Sequence, residues 1–122
     1  MPTERQRMFM QAAEQKASQV GLGRAVTHLR EQAGLSLTEL GSWLDLADAE
    51  LEAVERGDVD PTWGDLRRIA YGMNVELDSL LQLGIGLAPG PAGDRLRQQE
   101  EEKREFQGRA ADEDQGDEGE QP

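Results

Sequence analysis

The sequence predicts an all-α fold, and three observations carry the prediction. Apolar residues recur three and four apart in separate blocks, as in Leu22, Ala25, Val26, Leu29 and Ala33, and again in Leu66, Ile69, Ala70 and Met73. Capping signatures precede several blocks: Thr3 with Gln6, Ser36 with Glu39, and Thr62 with Asp65. Gly34, Gly57 and Asn74 follow the blocks, as helix-ending residues do.

Residues 3–20 read as an N-terminal helix. Phe9, Ala13, Ala17 and Val20 form a weak apolar stripe, with Met8 and Met10 beside it. Such a stripe fits a surface helix packed on the core, or a dimerisation helix. Gly21 and Gly23 interrupt the pattern and read as a hinge. A clearer helix follows from Leu22 to Ala33. Ser36 to Gly57 then reads as two short helices joined by a tight turn at Asp45 and Leu46, the pattern of a helix-turn-helix. Leu37, Leu40 and Leu44 mark its first helix; Leu51 and Val54 mark its second. Pro61 sets the next turn and Thr62 opens a fourth helix. A short fifth helix, Leu77 to Leu83, ends the core.

Residues 84–93, GIGLAPGPAG, hold four glycines and two prolines and read as a linker. Residues 94–107 have good helix formers but few apolar side chains, so they are expected to be partly helical. Residues 108–122 are acidic and are expected to be disordered. The chain thus divides into a helical extension (1–21), a helix-turn-helix domain (22–83), the linker, the charged segment and the tail.

Net charge is −12 over 122 residues, and its placement matters. Residues 36–78 carry eleven acidic and three basic side chains, and residues 112–122 carry six acidic and no basic ones. A negative helix-turn-helix half opposes nucleic-acid binding, which depends on neutralising phosphates. Without cysteine there is no disulfide and no thiolate metal site. No apolar run approaches the ~18 residues of a membrane span, and the first residues lack the apolar core of a secretory signal. A cytoplasmic location without a membrane partner is expected. One histidine, no cysteine and no phosphate loop support no catalytic site, no metal site and no cofactor. His28 lies off the apolar stripe of its helix and reads as an ordinary surface residue.

Residues 22–81 resemble the Cro/C1-type helix-turn-helix family, the XRE-like repressors. The resemblance rests on LGRAVTHLREQAGLS, LTEL, the step Glu55-Arg56-Gly57, DPT at 60–62, LRRIA at 66–70 and NVELDSLL at 74–81. It implies a compact five-helix lambda-repressor-like bundle, here with an extra N-terminal helix and a charged C-terminal tail. It implies that the second and third helices form a DNA-binding unit, usually in a homodimer on a palindromic site. It also implies a structural ion pair between Arg30 and Glu55, and a core position for Trp63, where the family places leucine.

By position, the DNA-contacting candidates are Leu37, Thr38, Ala47, Asp48, Ala49, Glu50, Glu52, Ala53, Arg56 and Arg67. Their chemistry departs from the family's. Leu37 stands where members place glutamine. Ala47, Asp48, Ala49 and Glu50 stand where they place serine, arginine, glutamine or threonine. Two functions remain open. One is a DNA-binding transcriptional regulator with an acidic recognition helix, using Arg24, Arg56, Arg67 and Arg68 on phosphate. The other is a protein-interaction module on the same fold that no longer binds DNA. Its acidic docking or DNA-mimic surface for a protein partner would comprise Leu37, Trp43, Asp48, Glu50 and Glu52. Leu37 and Trp43 read as surface positions, covered either by the N-terminal helix or by that partner.

Overall fold

One helix runs where two were expected. The structure is a computed structural model describing residues 1–120, with side chains described through residue 108. Helix α1 is continuous over Glu4–Gln32. Thr3 caps it: its hydroxyl accepts from the Gln6 N–H, and the Gln6 side chain accepts from the Thr3 N–H. Gly21 and Gly23 are therefore not a hinge. They are buried in mid-helix because other backbone passes against them. A Cβ on Gly21 would stand 2.8 Å from the Ala88 Cα. One on Gly23 would stand 2.5 Å from the Val54 carbonyl oxygen and 2.8 Å from the Glu55 carbonyl carbon.

That crowding yields a test. Gly23→Ala gains about 1 kcal/mol of helix propensity, but it overpacks the crossing of α1 over the next elements. The expected net effect is a loss of about 1–3 kcal/mol in denaturant unfolding. A more stable variant would show that the backbones can separate without cost.

The remaining elements are α2 (Leu37–Leu44), α3 (Asp48–Arg56), α4 (Trp63–Gly72), α5 (Leu77–Gly86) and α6 (Gly90–Glu120). There is no strand among the described residues. The core gathers Leu22, Ala25 and Val26 from α1, Leu40 and Leu44 from α2, Leu51 and Val54 from α3, Ile69 and Ala70 from α4, and Leu80 from α5. No aromatic side chain enters it. Trp63, expected in the core, is 62 % exposed at the first position of α4. Leu66, Ile69 and Ala70 supply the inward face of that helix instead.

The stretch 84–93 is not a linker. Its first residues complete α5, and Ala88 and Ala92 are buried against Ala17. Small residues are needed here because helices approach closely: a Cβ on Gly84 would lie 3.1 Å from the Leu22 Cα. α6 then returns antiparallel along α1, with Gly21 beside Ala88 and Glu14 paired to Arg95 at 3.2 Å. Arg97 locks the corner by donating to the carbonyl oxygens of Ile85, Gly86 and Ala88 at 3.1, 3.3 and 2.8 Å. The acidic tail expected to be disordered, 108–122, falls almost entirely among residues whose surroundings the structure does not describe.

No α6 residue belongs to the main core. A chain ending at Leu87 is accordingly expected to keep a cooperative thermal transition. It forfeits the alanine seam and the Arg97 hydrogen bonds, a loss of about 1–3 kcal/mol. Disappearance of the cooperative transition would place α6 inside the folding unit.

Candidate nucleic-acid interface

The helix-turn-helix is assembled by local chemistry first. Ser36 caps α2 in a reciprocal box with Glu39, whose N–H reaches the Ser36 hydroxyl at 3.1 Å. Asp45 ends α2 in the left-handed region, with φ 57°. α3 starts at Ala47, which offers no side-chain cap. Asp48 stands in the first turn of α3, where a carboxylate favours the helix dipole. The Thr38 hydroxyl donates to it at 2.8 Å, tying α2 to α3 across the turn.

The far end of α3 is held more firmly. Arg30 grips Glu55 with two hydrogen bonds, 2.8 Å from Nε and 3.1 Å from Nη2. Thr27 donates to the same carboxylate at 2.9 Å, and Arg30 also donates to the Leu35 carbonyl oxygen at 2.9 Å. The two side chains are only 15 % and 9 % exposed. The Arg30 guanidinium is held above its ordinary range, chiefly by the hydrogen bonds it donates to Glu55 and against the opposing effect of burial. Gly57 closes α3 with φ 75°, and Val20 leaves no room for a Cβ there. Lys16 Nζ donates to the Gly57 carbonyl oxygen at 2.6 Å, neutralising the negative end of α3. Nothing in the sequence marks Lys16 for this role, because it is separated from Gly57 by 41 residues.

The outer face of α3 presents Asp48, Ala49, Glu50, Glu52 and Arg56 to solvent, with Ala53 half-buried. Arg56 is the single cation of this helix, and it is engaged. It donates to Glu52 at 3.0 Å and to Asp58 at 2.9 Å. Glu50, Asp60 and Asp65 border one shallow hollow beside Ala49 and Ala53. The charge of the face is thus predominantly acidic, with its one positive side chain paired to two carboxylates.

The other candidates scatter. Thr38 is exposed next to Asp48, but Leu37 packs on the core and does not offer an open surface. Arg24 donates to the Leu87 carbonyl oxygen at the end of α5, at 3.1 Å. Arg67 and Arg68 do not face the α3 surface; both line a groove with Trp43, Trp63 and Tyr71. Arg68 pairs with Asp65 at 2.7 Å. Of the five candidate partner-surface residues, Asp48, Glu50 and Glu52 are exposed on α3, Leu37 is half-buried against the core, and Trp43 lines the groove. Trp43 is 64 % exposed in the groove, and the N-terminal extension lies instead along α6. Among the described residues there is no cluster of acidic or histidine side chains fit to hold a metal ion, and no helix long and apolar enough to cross a membrane.

The chain matches the family model of the helix-turn-helix domain over residues 21–83. It is similar in fold to the crystal structure of the clp gene regulator ClgR from C. glutamicum, with a TM-score of 0.55 and 22 % identity. That likeness covers 57 % of this chain and 90 % of the other. No curated protein matches it in sequence. The matched residues take in the second part of α1 and all of α2, α3 and α4, together with most of α5. By that match over just over half of its length, the chain belongs to the helix-turn-helix domain family of XRE-like type.

Proposed function

We propose that the protein is a cytoplasmic transcriptional regulator that binds DNA through α2 and α3, with low affinity for random duplex. The observation that carries this reading is the open outer face of α3 within a helix-turn-helix domain, where Ala49, Glu50 and Glu52 are all exposed. The description of the structural neighbour as a gene regulator supports it. In the major groove a carboxylate such as Glu50 can accept from the cytosine amino group, while Ala49 offers a methyl contact for thymine. Few phosphate contacts are at hand, because Arg56 is already paired. Two copies would present two α3 helices to half-sites about one helical turn apart.

Selection from a random duplex library tests the reading. Enrichment of one palindromic sequence, bound with a shallow salt dependence, is the expected result. Libraries that stay random through successive rounds at low salt would end it. The pairing of Arg56 with Glu52 and Asp58 favours a second reading, in which the acidic α3 face docks a basic protein in place of DNA. Under it the library stays random while a lysine-rich partner binds and is released by salt.

A further inference from the structure

All of the chain's aromatic side chains are on its surface: Phe9, Trp43, Trp63, Tyr71 and Phe106. Three of them meet in one place. Trp43 at the end of α2, Trp63 at the start of α4 and Tyr71 at its end are 64 %, 62 % and 89 % exposed. They surround a groove of about 1040 Å³ whose floor includes Leu44, Ala70, Val75 and Leu77. No residue of α3 lines it.

The charge of the groove is as unusual as its composition. Residues 36–78 hold three cations in all: Arg56, Arg67 and Arg68. Arg56 is spent on α3. The other two both line the groove, and no carboxylate does. Asp65 next to them is taken by Arg68, while Glu76 and Asp78 sit outside the lining. Arg67 is exposed and has no hydrogen-bond partner among the described residues, whereas Arg68 donates to Asp65 and to the carbonyl oxygens of Gly64 and Leu44. An apolar floor, aromatic walls and a cationic rim thus occur together on a strongly acidic domain.

We infer that this groove binds an acidic amphipathic segment of a partner protein. Its leucine or phenylalanine anchors enter between Trp43 and Trp63, and its carboxylates reach Arg67, the groove arginine that no carboxylate of the domain holds. Aromatic residues and arginine are the side chains enriched in interface centres. A second copy of the chain is a poor occupant: a two-fold contact through this face brings two Arg67 side chains into one interface whose groove lining offers no carboxylate to meet them. Single-stranded nucleic acid would stack on the tryptophans, but it needs a positive channel that this domain does not extend beyond two arginines. The inference does not depend on α3 reading DNA.

Both tryptophans of the chain lie in the groove, so their fluorescence reports on it directly. The probe is a short amphipathic peptide with leucine and phenylalanine on one face and glutamate on the other. It is expected to shift tryptophan emission saturably, and the same peptide with lysine for glutamate to bind roughly tenfold more weakly or not at all. Arg67→Glu should reverse that preference while leaving the thermal transition in place, since the side chain is exposed. Trp43→Ala should abolish binding of both peptides. Equal binding of the two peptides overturns the inference, as does tighter binding of oligothymidylate. An emission shift that follows protein concentration without peptide would assign the groove to a second copy and overturn it too.

Discussion

Glu55→Ala is expected to lower unfolding free energy by about 3–5 kcal/mol, the range for breaking a buried ion pair from one side. The size follows from what is left behind. Arg30 keeps only its bond to the Leu35 carbonyl oxygen, and a largely buried guanidinium loses its counter-charge. α1 and α3 lose their strongest polar tie, and the α3 end that Lys16 and Gly57 position comes loose with it. Replacing both partners, Arg30→Met with Glu55→Leu, should cost much less than the sum of the single changes, because no charge is then stranded. Urea unfolding of the four proteins gives the coupling energy. Additive single effects would mean that the pair is incidental. The pH dependence has a definite sign. Arg30 is raised above its unfolded value, so its contribution is fully present below that value and is lost only as pH climbs through the folded one. Across neutral and mildly alkaline pH it therefore adds no slope to stability.

Local chemistry was the legible part of this chain. The boxes at Thr3–Gln6 and Ser36–Glu39, the Thr62 cap and the left-handed turns at Asn74 and Gly57 all act within a few residues. A short window of sequence contains the whole interaction. Gly21 and Gly23 are illegible for the opposite reason. What demands glycine there is the backbone of Val54, Glu55, Gly84 and Ala88, far along the chain. The same holds for 84–93: glycine and alanine signal flexibility when read alone, but Ala88 and Ala92 are small so that α6 can seat on Ala17. The family resemblance implies a buried Trp63, but Leu66, Ile69 and Ala70 already fill the inward face of α4. At the candidate site the acidity of α3 was legible in composition. Its internal pairing was not: Arg56 bridging Glu52 and Asp58, and Thr38 on Asp48, are matters of side-chain direction.

That pairing sharpens the largest functional effect. Changing Glu50 and Glu52 together to lysine is expected to raise affinity for random duplex roughly ten- to a hundredfold at moderate salt, and to steepen its salt dependence. Each reversal removes a repulsion and adds a cation that can release a counterion. The two positions should not contribute equally. Glu52→Lys also frees Arg56 from one of its two carboxylates, so a second cation becomes available to phosphate. Glu50→Lys sets its new ammonium beside Asp60, which borders the same hollow and will partly hold it back; Asp65 there is already paired with Arg68. Glu52→Lys alone should therefore give the larger gain and the larger change in salt slope. Fluorescence-anisotropy titrations of a random duplex across a salt series measure both quantities. If neither lysine changes binding, α3 does not approach phosphate at all, and the protein-docking reading of its acidic face takes precedence. If Glu50→Lys dominates instead, Arg56 must already leave its carboxylates for DNA, and the ion triad at the end of α3 is a switch that phosphate opens.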